Sequence, residues 1–275
     1  MHPILFHLFG LTIYTYGVLV ATGVVVGLSF GRSVAPKLGV NPDSFWNMGI
    51  YTIIMALVLA KVWLVVSEWD YYSAHLGQIF SFQTFQSGGD FYGGIIGAVL
   101  TIVLYSYYQK MPMISVLDVS AAAVPIGHAI GRLGCFAAGC CYGKPTMVPW
   151  GITFLDPNAA QIAGTPLGVR LHPTQLYESA AEFLNFIIIV VLLKRQSFKG
   201  QILGTYFLLY GIERGVIEFF RGDPGRTMLF HDSVSLMQIV SLFLILTGSI
   251  LWIRGLRGAS PITPASTRSA AAGRA

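Results

Sequence analysis

The sequence predicts an all-α integral membrane protein, a single bundle of about seven transmembrane helices. Three observations carry that expectation. Of the 275 residues, 54% are hydrophobic and only 11% charged, against roughly a quarter charged in ordinary soluble domains. The apolar residues fall in blocks close to the ~20 residues that a helix needs to cross the hydrocarbon core. The lysines and arginines gather in alternate connections between those blocks, as membrane topology requires.

The blocks lie at 14–34, 45–66, 93–108, 116–138, 180–193, 202–220 and 234–253. Ahead of the first, residues 1–16 hold neither a basic stretch nor a small-residue cleavage site, so the first span is expected to stay in the mature protein. Ten basic residues fall on one side: Arg32, Lys37, Lys110, Lys194, Arg195, Lys199, Arg254, Arg257, Arg268 and Arg274. Only Lys144, Arg170, Arg221 and Arg226 fall on the other. The bias predicts an N-terminus outside and a C-terminus in the cytoplasm. The net charge of +5 thus reads as topology, and no nucleic-acid partner is expected.

The longer outer connections are 67–92 and 139–177. The second, with its prolines and glycines, predicts a small extracytoplasmic cap between the fourth and fifth helices. Residues 1–257 are expected to form one membrane-embedded unit, and 258–275, rich in Ala, Ser, Thr and Pro, a disordered cytoplasmic tail.

Charges inside the spans point to function. Arg132 ends the fourth block and Arg214 interrupts the sixth, and a charge near mid-membrane costs at least ~2.5 to 3.5 kcal/mol unless it meets a partner or a wet cavity. In "YGIERGVIEFFRGD", 210–223, Tyr210, Arg214, Glu218 and Arg221 recur at steps of four, four and three, which predicts one helical face. Such a stripe suits a phosphate, whose oxygens accept paired guanidinium hydrogen bonds; it also suits an intrahelical salt-bridge ladder. Lys61 is expected to snorkel or pair within the bundle, and Asp118 to cap the start of the fourth helix. Glu178 and Glu182 lie in or beside the fifth span. In "HPTQLYES", 172–179, His172 is either a helix cap or part of a cavity mouth with Gln175, Tyr177 and Glu178.

Two glycine-rich segments are weaker signals. "SGGDFYGGIIGA", 87–98, flanks Asp90 and Tyr92 with Gly-Gly pairs, which permit either close helix packing or an anion at a helix start. Tyr14 and Tyr16 open the first span, where an aromatic belt explains both.

"GRLGCFAAGCCYGKPT", 131–146, contains all three cysteines of the chain. Cys135, Cys140 and Cys141 have three readings: packing at a helix end, a disulfide of Cys135 with Cys140 or Cys141, or a metal or nucleophile site with His128 or His172. The C-x4-C-C spacing is not a familiar zinc pattern.

Taken together, these segments resemble the bacterial prolipoprotein diacylglyceryl transferases. The motifs run in family order: Tyr16-Gly17, Gly88-Gly89 through Gly93-Gly94, Gly131-Arg132 through Gly143, His172-Pro173 through Tyr177-Glu178, and Tyr210 through Arg221. The resemblance implies seven helices in the bacterial inner membrane and transfer of the diacylglyceryl group of phosphatidylglycerol to the lipobox cysteine of a prolipoprotein. It implies no metal or organic cofactor. Arg132 and Arg214 match the family's essential arginines; Tyr16, Gly93, Gly94, Cys135, Gly143, Tyr210, Glu218 and Arg221 match its substrate-holding positions.

The chain departs from better-known members at three positions. Tyr92 stands where they carry a histidine, Cys135 at an asparagine and Cys140 at an acidic residue. The resemblance therefore leaves the proton transfer to Tyr92 or to His128, one turn before Arg132; His128 reads equally as a hydrogen-bonded interior histidine. Other functions compatible with the residues are a membrane thiol enzyme using Cys140 or Cys141, an anionic-lipid binder or transporter, and a paralogue acting on another lipid or acceptor.

Overall fold

The computed structural model describes residues 2–8, 11–81, 84, 89–224, 226–229 and 233–258. The expected tail from 259 onward lies outside them. In chain order the elements are β1 (Ile4–Leu8), β2 (Leu11–Tyr14), α1 (Thr15–Val34), α2 (Pro42–Ser67), α3 (Trp69–Ala74), α4 (Phe91–Tyr108), α5 (Met113–Ala138), β3 (Ile152–Thr153), α6 (Pro157–Ala163), β4 (Arg170–Leu171), α7 (Thr174–Leu192), α8 (Gln201–Glu218), β5 (Met228–Leu229), β6 (Val234–Ser235) and α9 (Leu236–Gly258). The strands form antiparallel two-stranded ribbons between the helices.

Each of the seven apolar blocks carries a long helix. Among the described residues, five are long and apolar enough to cross a membrane: those within Thr15–Leu38, Pro42–Ser67, Met113–Ala138, Thr174–Leu192 and Leu236–Gly258. The apolar helix over Tyr92–Tyr108 is shorter, and α8 carries Glu213, Arg214 and Glu218.

The chain divides into two compact units, 31–116 and 1–30 with 117–275. In the first, Asn41 starts α2 by accepting from the amides of Asp43 and Ser44, while Arg32 pairs with Asp43 at 2.7 Å. Helix α4 lies against α2 through small residues. A Cβ on Gly97 would meet Met55 O at 2.6 Å, and one on Gly93 would collide with Leu59 O; backbones this close require glycine. Asp90 caps α4, its carboxylate accepting from Tyr92 N at 2.8 Å and Gly93 N at 3.3 Å. The Tyr92 and Gly93 amides are thus taken by Asp90, and close packing is the reading of this segment that the structure shows. Lys61 pairs as expected, donating to Thr84 O at 2.6 Å.

In the larger unit, α1 crosses α5 at a glycine pair: a Cβ on Gly127 would lie 2.9 Å from Gly23 O. Further along the same contact Gly134 faces the Tyr16 ring. Helices α8 and α9 meet through Gly204, Gly211 and Gly248, where a Cβ on Gly211 would lie 2.8 Å from Ser241 O. That seam occupies one side of α8 and leaves Tyr206, Tyr210 and Glu213 on its other side.

Asp118 does not cap its own helix. That helix begins at Met113, so Asp118 sits a turn inside it, buried, and caps α8 from the side. Its carboxylate accepts from Gly200 N at 2.7 Å, Leu203 N at 2.9 Å and Gln196 Nε2 at 2.9 Å. Gly200, at φ 88°, offers no capping side chain, so a carboxylate from another helix satisfies amides that would otherwise be orphaned.

The connection from Gly139 to Pro173 is ordered around Tyr142, Phe154 and Leu171, with Ile152 packed on them. Asp156 caps α6 and Gly164, at φ 65°, ends it. Thr165 Oγ1 lies 3.0 Å from both Gly139 O and Ala159 O, tying the segment to the end of α5.

Candidate functional site

The site grows from α7. Glu178, Glu182 and Asn185 repeat at helical spacing and are all buried, which an apolar span accepts only if each finds partners. Helix α5 supplies them on one side. Arg132 Nη2 donates to Glu178 Oε1, and His128 Nδ1 lies 2.7 Å from Glu182 Oε1. Helix α8 supplies them on the other: the Tyr206 hydroxyl donates to Glu182 Oε1 at 3.1 Å, and Asn185 Nδ2 donates to Glu213 Oε2 at 2.6 Å. Three helices are joined here by charges that each would bury alone at a cost.

Within this network the histidine tautomer follows from its partners. Arg132 Nε, always a donor, lies 3.2 Å from His128 Nε2. Nε2 therefore accepts, and the proton sits on Nδ1, aimed at Glu182. His128 is the hydrogen-bonded interior histidine of the first reading, and it also has the form of a base: a carboxylate behind one nitrogen and a lone pair on the other.

Arg132 has one weakly engaged arm. Its Nε and Nη2 are committed to His128 and Glu178, while among the described residues Nη1 reaches only Cys135 Sγ at 3.8 Å. Sulfur is a weak acceptor. Exchanging it for a phosphate oxygen costs little and gains a charge-assisted hydrogen bond.

The expected stripe on α8 holds in part. Tyr210, Arg214 and Glu218 share the helix, and Arg214 Nη1 pairs with Glu218 Oε2 at 2.6 Å. Glu218 Oε1 also receives Arg226 Nε at 2.8 Å, a partner the sequence spacing did not suggest. Arg221 departs from the expectation, because α8 ends at Glu218. It lies on extended backbone bridged to Gly143, and its guanidinium forks onto Asp223 at 2.6 and 2.8 Å. Burial opposes the charge of Arg221, but Asp223 outweighs it and keeps the group firmly protonated. Tyr210 is within electrostatic reach of both Arg132 and Arg214, its ring 5.7 Å from that of His128.

Gly143 is wedged between two backbones. Its amide donates to His172 O at 2.9 Å, Lys144 N donates to Phe220 O at 2.8 Å, and Gly222 N donates to Tyr142 O at 3.1 Å. A Cβ there would lie 2.5 Å from His172 Cβ and 2.8 Å from Phe220 O. Glycine is what lets 142–144 lie between 172 and 220–222, and so sets the position of Arg221. His172 is not a helix cap; its Nδ1 lies 3.1 Å from the Tyr177 hydroxyl, which also accepts from Trp150 Nε1 at 2.8 Å. These three residues, with Ile212, Val216 and Phe220, line a largely apolar cavity of about 590 Å³ that Glu213 also borders.

Cys135, Cys140 and Cys141 are free thiols, so the disulfide, one of their three readings, is not formed. Its neighbours Cys135 and Cys140, then the Arg221 and Arg132 charges, hold the Cys141 thiol well below the ordinary thiol range. Hydrogen bonds with the other two thiols, reinforced by burial, push that of Cys140 up. Tyr16 interacts electrostatically with all three thiols and with Arg132. The larger unit thus gathers Tyr16, His128, Arg132, Cys135, Gly143, Tyr210, Arg214, Glu218 and Arg221. Tyr92, Gly93 and Gly94 belong to the other unit, at the start of α4. Glu182, Tyr206, Glu213, Asn185 and Arg226 were not singled out as site residues; the four-residue spacings of Glu178 with Glu182 and Tyr206 with Tyr210, inside apolar runs, were the signal available.

The family model described as prolipoprotein diacylglyceryl transferase matches residues 3–254. A phosphatidylglycerol–prolipoprotein diacylglyceryl transferase of Finegoldia magna is 35% identical over 255 residues, 92% of this chain and 96% of the relative. One from Clostridium tetani is 33% identical, covering 90% of this chain and 95% of its own. One from Synechocystis is 32% identical, covering 91% and 89%.

Proposed function

We infer the reaction from the premise that the chain belongs to the prolipoprotein diacylglyceryl transferase family. It transfers the diacylglyceryl group of phosphatidylglycerol to a cysteine thiol of a prolipoprotein. The acceptor is the lipobox cysteine of a membrane-inserted signal peptide. The setting is the bacterial inner membrane, with α4 and α8 completing seven spans, the N-terminus and the 139–173 connection outside, and the C-terminus in the cytoplasm.

The step is an alkyl transfer. The acceptor sulfur forms a C–S bond to the glyceryl carbon, and the C–O bond to phosphate breaks. Its electron pair leaves on the phosphate oxygen of glycerol phosphate, and the thiol proton passes to a base. Two tasks follow: holding the departing phosphate and taking the proton. Arg132, through the arm that meets only Cys135, and Arg214 hold the phosphate. Glu178 and Glu218 keep the two guanidiniums oriented before substrate arrives, so little reorganisation is needed in the transition state. Tyr210, within electrostatic reach of both guanidiniums, orients the headgroup together with Tyr16 and Arg221.

The proton goes to His128. Its Nε2 lone pair accepts from Arg132 Nε; when the phosphate draws Arg132 toward Cys135, that lone pair is released beside the reacting sulfur, with Glu182 behind the ring to stabilise the imidazolium.

The observation that carries this reading is the uneven engagement of Arg132: two strong partners on one side and a single weak sulfur on the other. The test is mass spectrometry of a lipobox peptide incubated with the protein and phosphatidylglycerol. A diacylglyceryl mass gain on the cysteine, lost in Arg132→Ala and Arg214→Ala, is expected. Equal product from Arg132→Ala would end the phosphate assignment.

A further inference from the structure

The transfer chemistry uses none of the thiol pair that ends "GCC". Yet the fold brings all three cysteines together: every Sγ of Cys135, Cys140 and Cys141 lies within 4.8 Å of the others. They are free, Cys135 buried and the other two half-buried. This convergence is held in place by the surrounding chain. Cys141 is at φ 61°, a left-handed backbone that is unfavourable for a non-glycine residue and persists only where the surroundings enforce it. The surroundings do so here. Gln175 Nε2 donates to Cys140 O and Thr174 Oγ1 to Cys141 O, both at 2.7 Å, and both side chains are completely buried at the start of α7.

We propose that Cys135, Cys140 and Cys141 form a three-thiolate site for a thiophilic d10 cation, zinc(II) or copper(I). The site adjoins the phosphate-holding arm of Arg132 through Cys135, but no step of the proposed transfer passes through a metal. Thiolate sulfur is the soft donor that selects zinc and copper(I) over magnesium, calcium or manganese. A metal–sulfur bond of about 2.3 Å sets the sulfur–sulfur edges of such a site at roughly 3.8 to 4.0 Å. The observed triangle, no wider than 4.8 Å, reaches that size by side-chain rotation of under about 1 Å, within what packed rotamers allow.

Charge supports the same assignment. Three thiolates leave one negative charge around zinc and two around copper(I). Two guanidiniums answer it: Arg132 Nη1 is 3.8 Å from Cys135 Sγ, and Arg221 acts electrostatically on Cys141. On binding, the protons still held on the three sulfurs pass to solvent and three S–metal bonds form. The half-buried Cys140 and Cys141 give the ion access, and zinc would keep a fourth position for water. The spacing, C-x4-C-C, hid the site because it is not that of a regular zinc turn; the left-handed Cys141 and the α7 anchors substitute for one.

The test uses the full chain, purified in detergent, reduced and stripped with chelator. Zinc(II) is titrated against a chromophoric chelator in one arm, and copper(I) against bicinchoninate, without oxygen, in the other. Cysteines alkylated by a maleimide are counted by mass spectrometry with and without metal. One equivalent bound in either arm, with the count falling from three to none, is expected, and the tighter arm identifies the ion. Cys140→Ser and Cys141→Ser should each weaken binding about 100-fold or more, the loss of one of three ligands exceeding the 10- to 100-fold typical of an outer-shell partner. No stoichiometric binding in both arms would overturn the proposal, as would unchanged affinity in folded single variants. If the variants do not fold, three thiols alkylated at the same rate with and without metal in the unaltered protein would overturn it alone.

Discussion

One carboxylate oxygen, Oε1 of Glu182, lies 2.7 Å from His128 Nδ1 and 3.1 Å from the Tyr206 hydroxyl, both of which donate to it. The imidazole is thereby locked in the tautomer that turns Nε2 toward Arg132. Glu182→Gln keeps the shape and one acceptor but removes the charge that stabilises a protonated His128. The transfer rate to a lipobox peptide should fall about 10- to 100-fold, a share of the 10²–10⁴ typical of general base catalysis, with the fold intact by circular dichroism. A rate equal to that of the unaltered protein would take His128 out of the proton path.

Arg132→Lys tests whether a fork or merely a charge is needed. Lysine cannot serve His128, Glu178 and a phosphate oxygen from one planar group. Two charge-assisted hydrogen bonds, at roughly 1.5–3 kcal/mol each, are lost, so catalytic efficiency toward the lipobox peptide should drop by about 100-fold or more. Lysine activity within about threefold of arginine, less than one such bond is worth, would show that a point charge suffices.

Asp118→Ala should destabilise without touching the chemistry. It removes the acceptor for Gly200 N, Leu203 N and Gln196 Nε2, combining a lost cap with buried unsatisfied donors, about 3 kcal/mol in all. Thermal melting in detergent should show a clearly lower midpoint, while the rate per folded molecule at low temperature stays near normal. An unchanged midpoint would mean that α8 does not depend on this cap.

Gly143→Ala should act at a distance. The methyl group would enter the space between His172 and Phe220, at an overpacking cost of about 1–3 kcal/mol, and push apart the segments that position Arg221. Both stability and phosphatidylglycerol affinity should drop, read as a lower melting midpoint and a higher Michaelis constant. A melting change with the Michaelis constant untouched would confine Gly143 to architecture.

Apolar block length and charge placement are local properties, and they foretold much of the fold. A helix occupies each of the seven blocks, and Arg132, Arg214 and Glu218 stood out as candidates because a charge inside an apolar run is costly wherever the run folds. The reading failed where an end or a partner was decided elsewhere. Arg221 extended the α8 stripe on paper, but the helix stops at Glu218 and Arg221 joins a strand-like bridge to Gly143. Asp118 resembled a cap for its own helix, yet the acidic side chain serves amides more than eighty residues away.

Membrane class, helix positions and family were thus legible from the chain alone, because hydropathy, charge bias and motif order need no partner to be read. The assembled fold was needed to show that Glu178 and Glu182 face Arg132 and His128, that Arg226 shares Glu218, and that three thiols converge at the end of α5. The first is a pairing between segments distant in the chain, the second a return of the chain just past the end of α8, and the third is held by side chains from the start of α7. Burying a charge or bending Cys141 into a left-handed turn is unfavourable locally, and becomes stable only when another part of the chain supplies the compensating hydrogen bonds.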